Sequence, residues 1–176
     1  MDKSPHARRA GGRRVKTQTA STTALKVLNV KGVSYSLHEF EHDPAARRYG
    51  TEAADKLGVE YGRVFKTLMI LVDGKPVIAL VPVSGQLDLK AAASIAGGRK
   101  AQLAGVAETE RRTGFTTGGV SPFGQRRQHP VIADRTISDY ATVFVSAGKR
   151  GLQVEMQPED VVSLTQAKIG RIATLD

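Results

Sequence analysis

Cysteine is absent from the 176 residues of this chain. Disulfides, thiol nucleophiles and thiolate metal sites are thereby excluded together. No stretch approaches the roughly 20 consecutive apolar residues that a membrane-spanning helix requires. The first residues lack the apolar core of a secretory signal, so a cytoplasmic protein is the expectation. His6, His38, His42 and His129 are scattered without the spacing of a metal site. Neither Ser121 nor Ser146 sits in a Gly-x-Ser-x-Gly elbow or beside a local base, which weighs against a serine nucleophile. Gly114, Gly118, Gly119 and Gly124 are not followed by Gly-Lys-Ser/Thr, which excludes a P-loop. Internal repeats and signs of a second domain are lacking as well.

Apolar residues are plentiful, at 40% of the chain, enough for a core that needs no covalent staples. The formal net charge is +9, and it is unevenly spread. Within residues 1–20, Lys3, Arg8, Arg9, Arg13, Arg14 and Lys16 face only Asp2, so this leader carries about half of the excess. Without apolar periodicity it reads as a disordered extension. It either captures a nucleic acid backbone through counterion release or serves only as a solubilising tail. Residues 21–176 read as one folded unit.

Local signals divide that unit. Ser21-Thr22-Thr23 offers N-caps for a helix carrying Ala24, Leu25, Val27 and Leu28 and stopped by Gly32. Val33 to Phe40 reads as a strand, and Thr51 as the cap of a helix from Glu52 to Leu57. The apolar run from Val64 to Val72 predicts a buried strand, turned by Asp73-Gly74-Lys75 into a second from Pro76 to Val83. Asp88 caps a helix that ends at Gly97-Gly98, and Val106 to Arg112 predicts another. Strands follow at 131–133 and 142–145. Gly148-Lys149-Arg150-Gly151 turns into the strand from Leu152 to Met156, and Pro158 opens a closing helix. Hairpins outnumber crossovers, which predicts an α+β domain with a mixed, largely antiparallel sheet flanked by helices.

Two glycine- and hydroxyl-rich segments stand out: Thr113 through Gln125, and Ser146 through Gly151. Such segments let backbone amides approach a carbonyl, carboxylate or phosphate oxygen. Lys66, enclosed by apolar residues, either points into a pocket to hold an anion or keeps its ammonium in water at a strand end. His42 and Asp43 form either an acid/base pair or, before Pro44, ordinary turn chemistry. Lys149 and Arg150 either bind phosphates of a nucleic acid strand or cap a solvated hairpin tip.

Five segments taken together resemble the YbaK family, the Cys-tRNA(Pro) deacylases related to the editing domain of bacterial prolyl-tRNA synthetases. They are Glu41-His42-Asp43-Pro44, Phe65-Lys66-Thr67-Leu68, Gly85 through Lys90, Thr113-Gly114 through Gly124-Gln125, and Val145 through Leu152. Order and spacing match over roughly residues 22–172. The resemblance implies a barrel-like α/β domain that hydrolyses the ester joining cysteine to the 3′ end of a mischarged tRNA. It implies Lys66 as the catalytic residue, with Phe40, Tyr49, Thr67, Gly118, Gly119, Ser121, Ser146 and Gly148 at the substrate and Lys149 and Arg150 on the tRNA backbone. No cofactor or metal is implied. The implied partners are tRNA and, transiently, prolyl-tRNA synthetase. The substrate thiol is expected to attack its own ester, which explains the missing protein nucleophile. Phe40 stands where relatives commonly carry tyrosine, so it can only pack. Gln153 replaces an acidic residue of some relatives, and Tyr49 is placed to stack on the terminal adenine. A deacylase for another small residue, such as alanine on tRNA(Pro), and a non-catalytic RNA-binding module are the alternatives.

Overall fold

A computed structural model describes residues 21–175; the basic leader expected over 1–20 lies outside the described residues. Helix α1 (Thr23–Lys31) begins and ends on the signals read above. Thr22 accepts the Leu25 amide at 3.1 Å, and Gly32 closes the helix at φ 67°. Strand β1 (Tyr35–Glu39) follows. Helix α2 (Tyr49–Leu57) starts two residues before the expected Thr51 cap, with Arg48 at the N-cap position and no side-chain cap bond. The earlier start is set by packing. Gly50 lies so close to Val83 that a Cβ there would come within 2.3 Å of it, so the first turn is pressed onto the sheet.

The strands fall into three hydrogen-bonded ladders where one sheet was expected. Five form a sheet in the order β5-β2-β3-β6-β9: Ala101–Leu103, Phe65–Val72, Lys75–Pro82, Val131–Asp134 and Lys168–Gly170. Its β5/β2 and β2/β3 pairs are antiparallel, whereas β3/β6 and β6/β9 are parallel. β1, β8 (Leu152–Met156) and β7 (Val143–Lys149) form an antiparallel trio, and β4 (Gly85–Leu87) pairs with β10 (Ala173–Leu175). A parallel bridge between Val64 and Phe144 joins the trio to the large sheet. The β2–β3 hairpin turns on Asp73 (φ 49°) and Gly74 (φ 81°), both left-handed as a two-residue type I′ turn requires. β7 extends beyond the expected Val145 to Lys149, with a bulge between Ser146 and Lys149, so the tight turn is Arg150-Gly151.

β3 shows why the sheet is central. Ile78 and Leu80 point into a core shared with α1, Phe115, Val145 and Val154. Val77, Ala79 and Val81 point the other way, onto Ala92 and Ala93 of α3 (Leu89–Ile95). A strand covered on both faces reads as a continuous apolar run. A third, smaller cluster places Ala53 and Ala54 of α2 against Val64 and Phe144. Helices α4 (Val106–Thr113) and α5 (Pro158–Thr165) complete the fold. No helix of the described residues is long and apolar enough to cross a membrane.

Candidate active site

The first turn of α2, the start of β2, the loop after α4 and the β7–β8 pair converge on one cavity of about 500 Å³. Tyr49, Lys66, Thr67, Gly118, Ser146 and Gln153 belong to its wall, with Arg48, Gln86, Leu103 and Val106 at its exposed parts. Lys66 is half-buried, and its ammonium donates to the Gly85 carbonyl at 3.2 Å. The lysine and the glycine loop therefore face one enclosed space, although some fifty residues separate them in the chain.

The loop is braced from two sides. The Thr117 amide donates to Glu110 Oε1 at 3.0 Å, and the Thr117 carbonyl accepts Arg150 Nε at 2.7 Å. The Arg150 guanidinium lies 5.0 Å from the centre of the Tyr49 ring. Gly118 sits at φ +88°, and a Cβ on it would fall 2.7 Å from Tyr49 Cδ1. Only glycine fits there without strain. The Gly118 N–H donates to no acceptor among the described residues. Gly119 packs on the hairpin instead: a Cβ would fall 2.9 Å from the backbone of Lys149 and Arg150.

The cavity wall has a polar patch. Ser146 on β7 stands opposite Gln153 on β8, and its hydroxyl accepts the Gly148 amide at 3.3 Å. Thr67 Oγ1 and Gln153 Oε1 are buried without a hydrogen-bond partner among the described residues. Buried orphan atoms each cost about 1–3 kcal/mol, so a fold retains few of them. Both belong to residues of this wall.

Of the residues expected at the substrate, Tyr49, Lys66, Thr67, Gly118 and Ser146 share this cavity, whereas Phe40, Gly119, Ser121 and Gly148 lie outside its lining, as do Lys149 and Arg150, which were expected on the tRNA backbone. Phe40 packs with Ala53, Val64 and Phe144, and the Lys56 ammonium lies 5.9 Å from its ring centre. Ser121 is fully buried, its hydroxyl accepts the Phe123 amide at 3.2 Å and its carbonyl accepts the Gln125 side-chain amide, so it shapes the loop. Gly148 occupies the β7 bulge at φ +97°, against Phe115 and Thr22. Arg150 is committed to Thr117 and Tyr49, while Lys149 is exposed at the hairpin end. Gln153, in the cavity wall, and Glu110, which holds the wall residue Thr117, escaped sequence reasoning. Gln153 was legible only as a departure from relatives, and Glu110 bears on the site only because the turn after α4 brings the Thr117 amide back to it.

His42 is not paired with Asp43. Its Nδ1 meets Glu52 Oε2 at 2.8 Å, while Asp43 Oδ1 accepts the Ala45 amide at 2.9 Å, as turn chemistry predicts. Burial alone pushes the Glu52 carboxyl up. The Asp43 amide, His42 and Lys56 outweigh it, so Glu52 titrates below the ordinary glutamate range. The His42 ring lies 5.6 Å from that of Tyr49, which places this charged cluster directly behind the cavity wall. Among the described residues no three His, Asp or Glu side chains group closely enough to hold a metal ion.

Residues 43–164 match the sequence profile of the aminoacyl-tRNA editing domain. The chain is 37% identical over 165 residues to EbsC of Enterococcus faecalis, named as a proposed Cys-tRNA(Pro)/Cys-tRNA(Cys) deacylase, covering 90% of this chain and 96% of that protein. It is 27% identical over 117 residues to the multifunctional Ser/Thr-tRNA deacylase ProXp-y of Escherichia coli, covering 64% and 70% of the two chains. A crystal structure described as a proposed trans-editing enzyme for prolyl-tRNA synthetase superposes with a TM-score of 0.76 at 27% identity, over 88% of this chain and 98% of that one.

Proposed function

The chain belongs to the aminoacyl-tRNA editing domain family, and from that premise we propose that it frees tRNA(Pro) of wrongly attached cysteine, using the thiol of the substrate itself. The observation that carries this reading is the single cavity shared by Lys66 and Gly118. Its volume of about 500 Å³ falls within the range of pockets that enclose a nucleoside-sized ligand. Lys66 holds the terminal nucleotide, and the Gly118 N–H stands ready to donate to an ester carbonyl oxygen as negative charge develops there.

In this mechanism the cysteinyl sulfur attacks its own carbonyl carbon. The new S–C bond closes a four-membered thiolactone as the C–O bond to the ribose breaks. The thiol proton ends on the departing 3′ oxygen, and water later opens the thiolactone to free cysteine. The protein supplies position and charge stabilisation, and alanine is spared because it has no internal nucleophile. An apolar pocket alone separates side chains differing by one methylene by only about 1–3 kcal/mol. Tyr49 contributes its ring edge to the nucleotide, since Arg150 already lies over its face. The work is done in the cytoplasm, in transient complex with prolyl-tRNA synthetase.

A second reading, removal of serine or threonine, draws on the polar patch of Thr67, Ser146 and Gln153 and on the likeness to ProXp-y. One panel tests both: Cys-, Ser- and Ala-tRNA(Pro), with Lys66→Ala as control. The cysteinyl ester is expected to be lost at least roughly 100-fold faster than the seryl ester, and Lys66→Ala to lose about as much. Comparable cysteinyl and seryl rates overturn the thiol mechanism, and a faster alanyl rate overturns the cysteine assignment. If none of the three esters is cleaved above background and Lys66→Ala keeps its RNA affinity, the fold serves as a binding module.

A further inference from the structure

Cations gather a second time outside the cavity, at the C-terminal end of α4. Arg111, Arg126 and Arg127 are exposed there. None of the three forms an ion pair among the described residues. The carboxylates of the same helix are otherwise engaged: Glu108 meets Arg112 at 3.0 Å, and Glu110 accepts the Thr117 amide. Arg126 is fixed in place. Its amide donates to the Thr113 carbonyl at 3.0 Å, its side chain lies against Gly114, and its guanidinium reaches the Arg111 carbonyl at 3.4 Å. The negative end of the helix dipole favours Arg111, Arg112 and Arg126. It does not account for Arg127, which stands beyond the helix.

The neighbouring imidazole adds no compensating charge. His129 is buried, and burial first, then the Arg112 and Arg127 guanidinia, hold it below the ordinary histidine value against the pull of a bond to the Arg112 backbone. Three cations thus stand together without a carboxylate ion pair among the described residues, on a body whose charge is already positive. Self-repulsion makes such a cluster costly unless a polyanion relieves it.

Helix α4 leads from the cavity to this cluster. Val106 and Thr109 are part of the cavity wall, and Arg111 follows one half-turn later. At 1.5 Å per residue the rise from Val106 to Arg111 is only about 8 Å. We propose that Arg111, Arg126 and Arg127 form a phosphate-binding surface for the RNA strand whose 3′ end enters the cavity. Phosphate contacts of this kind set register and affinity without reading sequence. They take the place of the hairpin cation Arg150, whose guanidinium braces the site. The inference rests on the deacylase reading only for where the RNA 3′ end lies.

The test is the affinity of the full chain for uncharged tRNA across a range of salt, for wild type and Arg111→Gln/Arg127→Gln. This double variant leaves Arg126 and its helix-capping bond in place. At low salt the variant should bind tRNA roughly tenfold more weakly, with the slope of log affinity against log salt reduced by about 1.5. Its thermal midpoint and its affinity for adenosine 5′-monophosphate should not move, and Arg111→Lys/Arg127→Lys should restore the slope. An unchanged slope overturns the proposal, as does an equal loss with the mononucleotide. Intact tRNA binding with lost affinity for prolyl-tRNA synthetase assigns the surface to a protein and overturns it too. Failure of the deacylase reading shows separately, as the expected tRNA binding with no ester cleaved.

Discussion

Gly118 combines a left-handed backbone, a place in the cavity wall and close approach to Tyr49 in one residue. A side chain there must adopt φ +88° and share space with the Tyr49 ring. The left-handed backbone alone costs about 1–2 kcal/mol. Gly118→Ala should therefore lower the melting temperature by a few degrees and cut deacylation at least tenfold, since the amide and the tyrosine are displaced together. Kinetics and a thermal melt of the same preparation check both halves. Undiminished activity would show that this backbone does not meet the substrate. The glycine was visible in the sequence as part of a dense run, but nothing local separated Gly118, on the cavity, from Gly119, on the hairpin. Their difference depends on which neighbour the folded chain brings to each.

Helix α4 acts on the site as an element. Through Glu110 it holds the Thr117 amide, and the opposite face of the same peptide segment is held by Arg150 on the β7–β8 hairpin. Glu110→Ala should lower kcat roughly tenfold with little change in melting temperature, because the amide is half-exposed and can find water. Glu110→Gln keeps an acceptor and should retain most of the rate; an equal loss in both variants would point to charge instead of position. Strand β8 offers an element-scale test of pH. Glu155 accepts the Thr142 hydroxyl and contacts His38 on β1 and Arg63, at 3.0 Å each. The Thr142 bond, against the opposing pull of burial and with help from His38 and Arg63, lowers its pKa. A depressed folded-state pKa means stabilisation that is complete above the ordinary glutamate range and is lost as pH falls through the folded value. The stability difference between wild type and Glu155→Gln in urea should therefore be largest above the ordinary glutamate range and shrink as pH falls below it. A constant difference would refute the coupling.

At the scale of the molecule, one buried carboxylate ties the end of the chain to its centre. Asp134 closes β6 and accepts four donors: the amides of Ile172 and Ala173, and the amide and hydroxyl of Thr136. Those bonds place β10 so that it can pair with β4, beside the Gly85 carbonyl that receives Lys66. Asp134→Ala leaves buried amides unpaired and should cost about 3 kcal/mol or more by urea denaturation, with Asp134→Asn intermediate. A loss below about 1 kcal/mol would mean that water replaces the carboxylate.

The parts legible in the linear chain were those decided by neighbours a few residues away. A cap within Ser21-Thr22-Thr23, the Asp88 cap and the turn at Asp73-Gly74 follow from backbone geometry and short-range hydrogen bonding, and they appear where composition puts them. The short strands β4, β5, β9 and β10 left no comparable mark, because three residues carry too little pattern and exist only through their partners. Lys66 was singled out by its apolar flanks, yet those flanks fit a strand end as well as a pocket. Tertiary structure alone decided that it shares a cavity with Gly118, that Arg150 braces a loop, and that Glu110 belongs to the site. The first two join segments far apart in sequence, and the third depends on the turn after α4 that brings Thr117 back to Glu110; all are set by how sheets, helices and loops pack.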